Sequence, residues 1–294
     1  MLDLKLDRDA TPPTDAATVI LVRDTADSGL EIFCVERSKQ SRFLGGAIVF
    51  PGGKLDASDA LEDWKPLTTR VRPPARKGQV PFANDDAHLR ALTIAACRET
   101  LEEAAILHVT SGGLTQEQLL ELRAHLATEP GALRAFLAKA KLMLDLEALH
   151  PLARWVTPET EARRYDTRFF VAVAPPAQIG AHDEHETMAS FWATPAEVLR
   201  RWEAGEVKVA PPTHRTLALL GSCATTDAVL ALAAGSCLDP ICPRLVPQKR
   251  NGDPDTLALT LPGDPEHEVR EQRVAGPSRY VLRGERWLPE DAPR

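Results

Sequence analysis

The sequence predicts an α/β fold, and three observations predict it. Two short β-branched runs, Ala17–Arg23 and Leu30–Val35, stand near the N-terminus with a turn-like DTADSG between them. A helical run from Asp85 or Asp86 to about Leu107 follows the turn Pro51-Gly52-Gly53 after an irregular stretch. Strand-like and helix-like runs then continue to about residue 234.

Taken in order, residues 1–14 are a polar lead-in with Pro12-Pro13. The first two strands form a hairpin, and Ala47–Phe50 is a third strand that ends at the Pro-Gly-Gly turn. Residues 56–87 carry four prolines and the basic residues Arg70, Arg72, Arg76 and Lys77, and read as a long loop with little regular structure. After the Asp-capped helix, Gly112-Gly113 is a break, and Thr115–Ala127 with Pro130–Leu149 make a helical hairpin. Leu133, Phe136, Leu137, Ala140 and Leu144 form its apolar stripe. Strands follow at 152–156, 169–174 and 189–193, then a helix at 195–204 with proline in its first turn and Gly205 behind it. Two short helices, 213–220 and 225–234, precede a proline-rich remainder with candidate strands at 256–261 and 280–282.

At 294 residues the chain is long enough for a large core, and its 44% hydrophobic and 26% charged residues are ordinary for a globular protein. A net charge of −7 disfavours nucleic acid as a bulk partner. The five cysteines are odd in number, scattered and without a CxxC pair, which points to free thiols in a reducing compartment. No stretch has the length of a membrane span and the first residues lack an apolar signal core, so a cytoplasmic protein with no membrane partner is expected. The oligomeric state is not legible.

The chemistry concentrates in Arg98-Glu99-Thr100-Leu101-Glu102-Glu103. At ~100° per residue Glu99 and Glu103 fall within ~40° of each other, with Glu102 about 60° further round. They interrupt an apolar stripe of Leu92, Ala95, Ala96 and Ile106. Carboxylates in such a place repel one another unless a cation sits between them, so the pattern points to a divalent-metal site.

A Gly-Gly turn followed by this helix resembles the Nudix hydrolase superfamily, whose box reads G-x5-E-x7-R-E-U-x-E-E-x-G-U, U being aliphatic. Arg98, Glu99, Glu102 and Glu103 match its closing half, while Thr100 and Ala105 replace its aliphatic residue and glycine. Gly53 opens it, but about thirty extra residues intervene, and counting back from Arg98 puts Arg90 where the first Glu belongs. The upstream string Arg37-Ser38-x3-Arg42-x3-Gly46-x3-Phe50-Pro51-Gly52-Gly53 resembles the signature of Nudix coenzyme A diphosphatases at every fixed position. The long insertion, with Arg164-Tyr165-Asp166-Thr167-Arg168 and Pro211-Pro212-Thr213, resembles the moiety-X motif nineteen branch.

The resemblance implies a Nudix α/β/α sandwich over 15–205, with a loop insertion at 56–87 and the helical hairpin at about 111–150, and a C-terminal extension over 206–294 packed on it. It implies hydrolysis of the diphosphate of coenzyme A or acyl-CoA to 3′,5′-ADP and (acyl-)phosphopantetheine. Mg²⁺ or Mn²⁺ would be held by Glu99, Glu102, Glu103 and the Gly53 carbonyl, with Arg98 orienting a glutamate. Arg37 and Arg42, with Gly52 and Gly53, would bind the substrate, and Glu186, ahead of Glu184, is the first candidate for the general base. Two alternatives stay open: a Nudix hydrolase of ADP-ribose, NADH or a nucleotide sugar, and a non-catalytic Nudix module that senses a ligand.

Overall fold

A computed structural model describes residues 11–38, 45–75, 78–111, 113–129, 131–182, 187–248 and 256–292. Its centre is an eight-stranded mixed sheet. The strands are β1 (Thr14–Thr25), β2 (Gly29–Arg37), β3 (Ala47–Val49), β4 (Gly52–Lys54), β5 (His150–Val156), β6 (Tyr165–Val173), β7 (Thr187–Ala193) and β8 (Lys208–Val209). The path runs β5-β6-β1-β2-β3-β8, with β4 on β1 and β7 on β2. β1 lies parallel to β6, pairing Thr14 with Tyr165 through Val22 with Val173, and antiparallel to β2 and β4. The Pro-Gly-Gly segment expected to be a turn therefore enters the sheet: Gly52 pairs with Thr18 and Gly53 with Ala17. Side chains are what propensity reads, and two glycines have none; the pairing edge of β1 makes the strand.

Both faces of this sheet are covered, which is why β1 and β2 read as nearly continuous apolar runs. Ala17, Val19 and Leu21 of β1, with Phe33 and Val35 of β2, pack on one side against α1 (Asp86–Ala104) through Ile94, Ala95 and Leu101. Ile20, Val22, Ile32 and Cys34 turn to the other side. There they meet Val198 and Trp202 of α4 (Pro195–Glu203), Leu217 and Leu220 of α5 (Pro211–Leu220), and Val229 of α6 (Thr226–Gly235). The Asp85 carboxylate caps α1 by accepting from the His88 N–H at 2.7 Å. α1 stops at Ala104, three residues before its expected end, because Ala105 takes the left-handed conformation (φ 50°) and its N–H returns to the Leu101 carbonyl.

The helical hairpin is α2 (Gln116–Leu126) and α3 (Ala132–Ala140). α3 ends nine residues earlier than the expected Leu149: Lys141 is left-handed, and the Leu144 N–H bonds to the Leu67 carbonyl. Leu144, on the apolar stripe, is buried as a bridge residue beside Thr68 and Val109, outside the helix. The 56–87 insertion has more order than its prolines suggest. It holds two 3₁₀ turns, Ala57–Ala60 and Glu62–Leu67, and Trp64 is buried with its indole N–H on the Ser58 carbonyl. Arg168, 2% exposed, pins the far end of the insertion by donating to the Phe82 carbonyl while paired with Asp15 and Asp166.

The last part of the chain builds a second, antiparallel sheet from β9 (Arg244–Gln248), β10 (Thr256–Thr260), β11 (Arg279–Arg283) and β12 (Arg286–Glu290). β9 and β12 contain prolines at 247 and 289, which hid them in the sequence. Tyr280 and Leu259 from this sheet join the same core as α5, and the Tyr280 hydroxyl bonds to His214 Nδ1 at 3.0 Å. Arg279 and Asp264 form a buried ion pair within it.

Candidate active site

The site is assembled where β4 lies beside α1. Successive residues of a strand face opposite sides, so Gly52 and Gly53 point different ways. A Cβ on Gly53 would stand 2.3 Å from the Glu99 Oε1, and one on Gly52 2.5 Å from the Ala17 carbonyl oxygen. Only glycine lets the Glu99 carboxylate close over the strand and the strand close on β1. The Gly52 N–H donates to Glu103 Oε2 at 3.0 Å, and Glu103 is buried at 8% exposure, so its carboxylate tethers the helix to the strand.

Arg98 organises the acids. Its Nε and Nη2 donate to the two carboxylate oxygens of Asp59, both at 3.0 Å, while Nη1 donates to Glu99 at 2.8 Å and to Glu102 at 3.3 Å. Nη2 also reaches the Lys54 carbonyl, which fixes the guanidinium to the end of β4. Burial opposes the charge on Arg98, but the Asp59 hydrogen bonds and the carboxylates of Glu99, Asp59 and Glu102 outweigh it and raise its pKa above the ordinary arginine value. Burial pushes the Glu99 carboxyl up to about 7; Glu102 and Asp59 add to that against the pull of Arg98.

Asp59 is the functional residue that sequence reasoning missed. Its side chain is fully buried, and besides gripping Arg98 it accepts from the Asp56 N–H in a capping box. Counting forward from Gly53, five residues intervene and the sixth position is Asp59, where the box pattern has its first Glu. Counting backward from Arg98 crosses the insertion and lands instead on Arg90, which pairs with Glu62 at the surface. The acid is one methylene shorter than the pattern asks, and the insertion begins only after it.

Of the other expected residues, Arg37 ends β2 and lines a pocket together with Gly52, and Gly46 follows it with its N–H on the Arg37 carbonyl. Arg42, Glu184 and Glu186 lie outside the described residues. Arg72 of the basic loop is spent on the Glu147 carbonyl, while His182 Nδ1 stands 3.5 Å from the Ser190 hydroxyl. As the side chains stand, no three His, Cys, Asp or Glu converge closely enough to hold a metal ion among the described residues; the acids close on Arg98 and on the Gly52 N–H instead. The donor set nevertheless fits a hard divalent cation: three carboxylates stand beside β4, and burial, with Glu102 and Asp59 adding to it, lifts the Glu99 carboxyl to about 7.

A family model described as the NUDT19 Nudix domain matches residues 13–220. The chain is 30% identical over 275 residues to the acyl-coenzyme A diphosphatase NUDT19 of Gallus gallus, covering 80% of this chain and 72% of that one. With the Homo sapiens protein of the same name it shares 26% over 265 residues, covering 78% and 68%. Among solved structures, a NUDIX hydrolase from Alicyclobacillus acidocaldarius superposes with a TM-score of 0.65 at 33% identity, over 75% of this chain and 96% of that one.

Proposed function

The chain belongs to the NUDT19 Nudix family, and on that premise we propose that it is a metal-dependent diphosphatase acting on coenzyme A or an acyl-coenzyme A. The observation that carries the reading is the convergence of Glu99, Glu102 and Glu103 on Gly52, Gly53 and Arg98. The coenzyme A part draws on the Arg37–Gly53 string and on the activity for which the relatives are named.

Mg²⁺ or Mn²⁺, held by Glu99, Glu102, Glu103 and the Gly53 carbonyl, would neutralise phosphate charge and acidify a water. The chain's own residues do the rest. Arg98, anchored by Asp59 and Lys54, keeps Glu99 and Glu102 pointing to the same side of α1. Gly52 holds Glu103 through its N–H, so the carboxylate is set before substrate arrives. Arg37 and Arg42 take phosphate oxygens, and Glu186, immediately ahead of β7, removes the water proton. The water oxygen joins one phosphorus and the P–O–P bridge breaks, leaving 3′,5′-ADP and (acyl-)4′-phosphopantetheine.

In this reading residues 15–205 are the catalytic unit and 206–294 an extension packed on it, except that its first strand, β8, joins the main sheet beside β3 and α5 covers that sheet. A cytoplasmic setting accords with the five free thiols. No helix among the described residues is long and apolar enough to cross a membrane. The test is turnover of coenzyme A, octanoyl-CoA, ADP-ribose and NADH with Mg²⁺ or Mn²⁺, products separated by chromatography. Phosphopantetheine and its octanoyl ester are expected; cleavage of ADP-ribose or NADH with no phosphopantetheine refutes the substrate assignment. Full turnover by Glu103→Gln would refute the site.

A further inference from the structure

A cavity of about 330 Å³ opens on the face of the main sheet opposite α1. It falls at the lower end of the ~300–1,000 Å³ of small-molecule sites. Its walls come from three places: Trp155 and Phe169 of the main sheet, Ala210 and Pro211 at the start of α5, and Leu259 and Trp287 of the second sheet. Gly52 and Arg37 also line it. Gly52 faces the cavity while its neighbour Gly53 faces Glu99, and the Gly52 N–H holds Glu103, so the cavity begins one residue from the acids.

The lining selects among the parts of the substrate. Aromatic and aliphatic walls are interrupted by Thr18, Thr157, Thr167 and Thr213. Three cations border the cavity: Arg286 gives Nη1 to the carbonyls of Trp202 and Glu203 with Glu285 beside it, while β3 draws Arg37 and Lys208 together, Gly46 donating to the Arg37 carbonyl and Ala47 pairing with Lys208. Arg37 and Lys208 suit the diphosphate, whereas a 3′-phosphorylated adenosine half would carry a further phosphate past them into the aromatic walls, where burying it is costly. A pantetheine arm brings alternating methylenes and amides, matched by apolar walls and scattered threonines, and an acyl group extends the apolar part.

Resting on the coenzyme A reading, we infer that this cavity takes the acylated pantetheine arm of the substrate, and that Leu259 and Trp287 make the second sheet a determinant of acyl preference. Each methylene buried there is worth about fourfold in binding. The phosphates then lie beside Gly52, Arg37 and the acids, with the nucleotide beyond them.

The test uses the full chain. Octanoyl-pantetheine, which has no diphosphate, is titrated calorimetrically against the wild type, Ala210→Phe, which fills the cavity, and Trp287→Ala, which enlarges it. The kcat/KM ratio of octanoyl-CoA to acetyl-CoA is measured beside it. We expect binding that Ala210→Phe weakens at least tenfold, a ratio of ten or more that falls towards one in the same variant, and a shift of preference to dodecanoyl-CoA in Trp287→Ala. Unchanged binding and an unchanged ratio overturn the assignment, as does selective loss of 3′,5′-ADP inhibition, which would place the nucleotide in the cavity. Should Ala210→Phe not fold, Trp287→Ala decides by the chain-length shift alone. Octanoyl-pantetheine bound and lost in Ala210→Phe, with no coenzyme A ester cleaved, would defeat the functional reading and leave the cavity assignment standing.

Discussion

Replacing Gly53 by alanine adds one methyl group at the point where strand and helix close on each other. That carbon would lie 2.3 Å from Glu99 Oε1, 2.4 Å from Cδ and 2.6 Å from Oε2, against an ordinary contact of at least 3.4 Å. The carboxylate must retreat by about an ångström. It cannot do so freely, because Arg98 holds it at 2.8 Å and is itself held by Asp59 and the Lys54 carbonyl. A displacement of ~1 Å in a positioned group costs about a hundredfold in rate, or close to 3 kcal/mol of transition-state stabilisation. Gly53 does not occupy the left-handed region, so alanine adds no backbone strain there and the fold should survive. The expected result is kcat down about a hundredfold, a weakened metal requirement curve, and a denaturation midpoint within a few degrees of the parent. Activity within threefold of wild type, with the variant folded, would show that Glu99 needs no close fit to the strand and would break the account of the site.

Asp59→Ala leaves Arg98 half-buried with its best partner gone; removing one member of such a pair costs ~3–5 kcal/mol, and the surviving contacts to Glu99 and Glu102 favour the low end, about 3 kcal/mol by denaturant unfolding. Asp59→Glu puts the glutamate of the Nudix box at this position and should keep activity within about tenfold, whereas Asp59→Asn should lose ~10–100-fold in kcat. His214 is packed between Trp202 and Tyr280, and burial, helped by Arg215, pushes its pKa down to about 4. Its folded value lies below its unfolded value, so its contribution is intact above about pH 6.5 and is lost as pH falls towards 4, on the order of 3 kcal/mol in all; a stability–pH profile of His214→Gln should be flatter in that window. Lys141 is exposed and left-handed at the end of α3, so Lys141→Gly should stabilise by about 1 kcal/mol in thermal unfolding; a lowered midpoint would refute the capping assignment.

How legible each part was follows from what carried its signal. β1, β2 and α1 announce themselves because side chains bear the pattern: β-branched runs for the strands, an aspartate cap and apolar stripe for the helix. Three carboxylates and an arginine at fixed spacing announce the acidic cluster of α1 in the same way. β4 is invisible by that measure, since two of its three residues are glycine and its pairing is dictated by an edge of β1 that is 36 residues away in sequence. β9 and β12 hide behind prolines that an edge or end position tolerates, and the close of α3 hides because the Leu144 amide is claimed by Leu67, a partner that only the folded insertion supplies. Asp59 was legible by counting from the other end of the box.

The position of that insertion explains why an interrupted box can remain one site. Everything that belongs to the β4 half precedes the interruption: Gly52, Gly53, and then Asp59 in a tight 3₁₀ turn whose cap its own carboxylate completes. Everything on α1 follows it. The two halves are rejoined by contacts that do not depend on the length of chain between them: the Gly52–Glu103 hydrogen bond, the Gly53–Glu99 packing, and Arg98 spanning Asp59 and Glu99. The entropy of closing a longer loop rises only slowly, about 0.6 kcal/mol for each doubling, and burial of Trp64 and the Arg168–Phe82 tie offset it. An insertion two residues earlier would have separated Asp59 from its cap and left Arg98 without the partner that aims it.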